Sequence, residues 1–344
     1  MVHNVFNEIK MRQNPFSLYD FLGYVFPGAF TLILISFFAN LGDIHSLSDL
    51  YVGVGDFIGR PDSKEMTNSQ NTTRTLFFLE ETIIWTIVAY IVGHIVAYLS
   101  SLTVEKFAIW TYDYPSKFLF SEVPSMHYWN VTGDQDNLEP TNWRQFVELV
   151  WRLIIGIFLF PISLCTILFG KLLCLKYFFV KQLDNTLKDA INSNMEKLAD
   201  SLDINKQNDD DFHRIVYHYE YERQSTHVQK MDNYVALYGF LRAMSFIFNC
   251  STVWIVYKYV IPTISLNFKI DWHLVLMIIS CITITYIFFM AFMKFYRRFT
   301  LESLMCLVID SSFKETKTIP YDYTSLHATQ IPTWAVSSGD IQNS

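Results

Sequence analysis

Charged side chains are absent from five stretches of the chain, residues 21–41, 82–103, 153–170, 243–257 and 273–293, and apolar residues dominate each of them. A run of about 18 such residues, rising about 1.5 Å each as a helix, crosses the roughly 30 Å hydrocarbon core of a bilayer. The stretch 243–257 is shorter. Arg242 and Lys258 at its ends lengthen it, because long basic side chains keep their stems in lipid and their charges at the interface. Outside these runs, Leu183, Leu187, Ile191, Met195 and Leu198 recur at helical spacing and predict an amphipathic helix over 181–202. After Asp211 no glycine occurs before Gly239 and no proline before Pro262, which predicts one long helix running from a polar region into the third span.

Basic residues orient the spans, since lysine and arginine beside a span favour the cytoplasmic side. Lys10 and Arg12 precede the first run, Lys106 and Lys117 follow the second, and Lys294, Arg297 and Arg298 follow the last. Four spans with both termini cytoplasmic satisfy all of these. The stretch 153–170 is then not a fifth span: it is basic on both flanks, and Pro161 at its centre breaks a regular helix. It is expected as a hairpin dipping in from the cytoplasmic face, or as an interfacial helix. The fold expected is all-α, a polytopic membrane protein with about four transmembrane helices and a helical cytoplasmic region. Residues 1–104 would hold two spans and an external loop at 42–75, 105–232 the cytoplasmic helical region, 233–298 a membrane hairpin and 299–344 a cytoplasmic tail.

Composition changes little in this picture. Hydrophobic residues make up 51% of the chain and charged ones 17%, below the roughly 25% of soluble domains. The net charge of -7 gives no footprint for nucleic acid. All five cysteines lie in or beside apolar runs without a C-x-x-C pair, which favours buried thiols over disulfides or zinc. The glycines of "GVGDFIG" (Gly53, Gly55, Gly59) miss the dinucleotide spacing by one residue. His213, His218 and His227, with Glu220 and Glu222, read as solvated helix faces. No catalytic residue, metal ligand or cofactor is therefore expected, and the chain is not read as an enzyme.

The second run carries the informative chemistry. Thr86, Tyr90, His94 and Tyr98 stand at successive i,i+4 positions, with Ser101 near the same line. An ionisable group at bilayer depth costs a few kcal/mol unless it faces a partner or water. Either this stripe lines an aqueous path, or His94 is a neutral imidazole bonded to a neighbouring helix with the tyrosines filling the core. Gly93 permits close helix contact in both cases. A second stripe, Ser280, Thr283 and Thr285, is expected to bond its own helix carbonyls, and Arg242 is expected to anchor the third span at an interface.

Two segments resemble a known family: "YDFLGYVFPGAFTLIL" (Tyr19 to Leu34), with its D-x-x-G-Y-x-x-P-G start, and "YIVGHIVAYLSSLTVEKF" (Tyr90 to Phe107). "YVALYGFLRAMS" (Tyr234 to Ser245) adds a third. The family is one of bacterial polytopic membrane proteins that includes effectors of anti-phage systems. The channel subunit of the Hailong system, held shut by short nucleic-acid oligomers from a companion nucleotidyltransferase, is closest in architecture. The resemblance implies a homo-oligomeric ion channel, a tetramer, in the bacterial inner membrane that depolarises the infected cell. It also implies a nucleotide-responsive cytosolic face, for which Lys181, Arg214, Arg223 and Lys230 are the candidate phosphate contacts. The alternative is a membrane-anchored scaffold or lipid-active enzyme without a pore.

Overall fold

Proline, glycine and buried polar contacts decide where the helices of this chain bend and meet. The computed structural model describes residues 20–40, 71–120, 128, 142–173, 180–203, 212–223, 225–260 and 272–310. It separates a unit Met1–Ile309 from a second, Asp310–Ser344, and every described helix belongs to the first. The described residues form helices and turns, with no strand among them.

A π-helical turn, Phe21–Val25, leads into α1, Phe26–Asn40. The wider turn directly precedes Pro27, whose ring would strike a carbonyl one turn back in a regular helix. Helix α2, Asn71–Ser100, passes through a second π turn, Ser101–Glu105, into α3, Lys106–Tyr112. It stops at Asp113, whose φ of 65° lies in the left-handed region, and Pro115 opens the short α4, Pro115–Phe118. The helix thus already begins at Asn71, inside the loop expected over 42–75; residues 42–70 lie outside the described residues.

Helices α5, Asn142–Phe158, and α6, Phe160–Leu172, meet at 85°. Pro161 supplies no N–H, so the ladder is interrupted there, and the Phe158 carbonyl is taken up by Asn249 Nδ2 at 3.0 Å. Helix α5 exposes Trp143, Phe146, Val147, Val150 and Ile154. Its Arg152 is buried against Glu148 at 2.5 Å, the Tyr128 carbonyl at 2.6 Å and the Trp110 ring. The bend matches the expected break at Pro161, although the element starts at Asn142, ahead of the apolar run.

Helix α7, Asn185–Ser201, buries Ile191, Met195 and Leu198. Asn194 ties it to the Leu307 carbonyl at 3.0 Å. The long helix expected from Asp211 is described as two, α8 (Phe212–Arg223) and α9 (Ser225–Ile255), the second prolonged by a π turn, Val256–Val260; Gln224 between them lies outside the described residues. Helix α10, Trp272–Ile309, runs past the expected end of the last span at Met293 and takes in the first residues assigned to the tail.

The core is the pair α9 and α10, which pack along most of their length. Ala236, Ala243, Met244 and Ile247 of α9 and Phe289, Phe292 and Met293 of α10 are all buried. Tyr238 lies 5.2 Å from Tyr296 and 5.8 Å from Phe299 by ring centroids. Ser245 Oγ donates to the Thr285 carbonyl at 3.1 Å. Among the described residues, four helices are long and apolar enough to cross a membrane, at Phe21–Phe38, Thr82–Phe118, Gln229–Val260 and Val275–Ile309, with the bent pair as a broken or re-entrant fifth element.

Candidate functional site

The first two apolar helices cross where neither carries a side chain. A Cβ on Gly28 would fall into the Ala89 carbonyl, and one on Gly93 into that of Tyr24. Backbones in contact bring the flanking aromatics together. The Tyr24 ring stacks on His94 with centroids 3.8 Å apart, and Tyr90 meets the same imidazole edge-on at 4.5 Å. His94 is thus bracketed by two tyrosines while remaining exposed on the single chain.

The rest of the stripe divides. Thr86 is exposed and donates to the Thr82 carbonyl at 2.8 Å. Tyr98 is 65% exposed, and Ser101 donates to the Tyr98 carbonyl at 2.8 Å. Its neighbour Ser100 is the residue that turns inward and is fully buried. On the second stripe Thr283 and Thr285 bond the carbonyls of Ile279 and Cys281 at 2.8 and 2.7 Å, as expected.

Arg242, expected to anchor the third span at an interface, turns into the bundle: it is 14% exposed and paired with the Glu105 carboxylate, itself 23% exposed. Its Nε donates to Ser100 Oγ at 3.2 Å and an Nη reaches toward the Ala97 carbonyl at 3.4 Å. The π turn Ser101–Glu105 packs against α9 and ends at Glu105. A carboxylate just beyond one polar stripe and an arginine heading another apolar run were both visible, but their pairing across the bundle was not. Beside the crossing, Thr31, Leu34, Phe38, Val96, Phe246 and Trp254 border an apolar cavity of about 380 Å³.

Of the four cationic candidates, Lys181 and Arg214 have exposed side chains, and the Lys181 carbonyl accepts from Arg297 Nε at 3.1 Å. Arg223 lies over the Tyr219 ring. Lys230 is committed to Glu302 at 2.5 Å. The solvated-face reading fails for two residues: Glu220 is fully buried, and His227 Nδ1 sits 3.3 Å from Glu302 Oε1. Both face α10, which was expected to have ended before reaching them.

No protein-family model matches the chain, and neither a curated protein nor a solved structure matches it significantly.

Proposed function

We propose that the protein is a multi-pass membrane protein whose copies assemble into an ion channel or pore, acting as a membrane-depolarising effector of an anti-phage system. One observation carries this reading: the polar positions Thr86, His94 and Tyr98 lie on the outside of the single chain along a helix apolar enough to span a bilayer. An imidazole facing lipid is costly, so these positions call for a second copy or a water path. A symmetric assembly supplies both, since each copy brings one such stripe to a common axis. The family resemblance supports the same reading and adds a nucleotide or short oligonucleotide as the gating signal at the cytoplasmic face.

A second reading, a membrane-anchored scaffold without a pore, is favoured by the apolar outer face of α5, which suits attachment to a bilayer surface. A membrane-potential dye in expressing cells separates the two. Depolarisation that disappears in His94→Leu and survives in His94→Gln is the expected outcome, because an apolar constriction dewets and a polar one stays wet. Toxicity without depolarisation favours the scaffold.

A further inference from the structure

Where α8, α9 and α10 meet, His227, Glu302 and Cys306 turn their donor atoms toward one another. Glu302 and Cys306 stand one helical turn apart on α10, so they share a face, and His227 comes from the first turn of α9. His227 Nδ1 is 3.3 Å from Glu302 Oε1, and the three donor atoms lie within 4.8 Å of one another. In a tetrahedral zinc site with bonds of about 2.0–2.3 Å the donors stand roughly 3.3–3.8 Å apart. No pair here therefore needs to close by more than about 1.5 Å, which side-chain torsions supply. Cys306 is buried. The Glu302 and His227 side chains are 16% and 31% exposed, which leaves a way in for an ion and room for a water as fourth ligand. The fully buried Glu220 of α8 lies near Cys306.

We propose that this junction binds a divalent transition metal ion of the zinc type through His227 Nδ1, Glu302 Oε1 and Cys306 Sγ. An imidazole, a carboxylate and a thiolate together suit zinc or cobalt and discriminate against magnesium and calcium, which take oxygen ligands. As the sulfur–metal bond forms, the thiol proton passes to solvent. Lys230 holds Glu302 in the metal-free state; its side chain is 51% exposed, so the ammonium swings into water when the ion takes its place. The bound ion joins α9 to α10 beyond their most apolar segments, and it does so whether or not the assembly conducts ions.

Cobalt(II) alone, titrated into the full-length protein in detergent under reducing conditions, tests the proposal. One equivalent should bind with a thiolate-to-cobalt charge-transfer band and a tetrahedral visible spectrum, both lost on adding zinc. Cys306→Ser should remove the band, whereas Cys165→Ser and Cys250→Ser should leave it. His227→Ala should weaken binding by at least about tenfold, and Lys230→Met should tighten it by removing the competing cation. Absence of stoichiometric binding in the wild type overturns the proposal. So does a band that survives Cys306→Ser, or weaker binding by Lys230→Met.

Discussion

Glu105 and Arg242 give up most of their water on folding, and each is the other's charge partner there. Removing one partner of a buried pair leaves an uncompensated charge, at a cost of about 3–5 kcal/mol, whereas replacing both by apolar or neutral groups of similar size is often neutral. Glu105→Gln and Arg242→Met should therefore each lower the thermal stability of the purified protein sharply. The double variant should recover most of the loss, and a double variant as unstable as the sum of the singles would show that the residues act independently. Glu105 and Arg242 were legible as residue types but not as a pair. One lies at the end of a π turn and the other in the third apolar helix, and helical periodicity drawn on either segment alone does not rotate them toward each other. Gly93, by contrast, was readable as a contact point because a side-chain-free position beside a histidine has few other uses in an apolar helix.

At the level of elements, the bend between α5 and α6 is a matter of hydrogen-bond accounting. Pro161 interrupts the ladder, and Asn249 of α9 takes up the Phe158 carbonyl at 3.0 Å. Asn249→Leu keeps the volume but leaves that carbonyl without its side-chain donor, a loss of about 1–3 kcal/mol for a buried polar group. Limited proteolysis between α5 and α6 should accelerate in this variant. Unchanged cleavage and unchanged melting would mean that the bend is held by packing alone. Pro161 made the bend legible in advance. The start of α5 at Asn142 was not, because Glu148 and Arg152 lie just ahead of the charge-free run while belonging to the same amphipathic helix.

For the whole molecule, the four long apolar helices were legible because hydrocarbon length and charge exclusion act on every residue of a span. The extent of α10 was not. Its 38 residues rise about 57 Å, nearly twice the hydrocarbon core, and the added turns carry Lys294, Arg297 and Arg298 beyond the apolar run and then Glu302, which was expected in the tail. The basic residues predict that this end faces the cytoplasm. A single cysteine at Ser311, in an otherwise cysteine-free chain, should react with an impermeant maleimide only after the cells are opened. Labelling in intact cells would reverse the orientation of the entire bundle.

The contact between Gly28 and Gly93 has a mechanical meaning. The two backbones touch over a full turn, Gly28 against the Ala89 carbonyl and Gly93 against that of Tyr24: α1 cannot slip along α2 by a turn, because the positions above and below carry side chains. Phe26 and Phe30 of α1 rest on Phe240 and Phe248 of α9, so any displacement of the third helix would load the first at this contact. Tyr24 sits at one end of the contact between the glycines with its ring stacked on His94, so the imidazole would register any change in how the two helices cross.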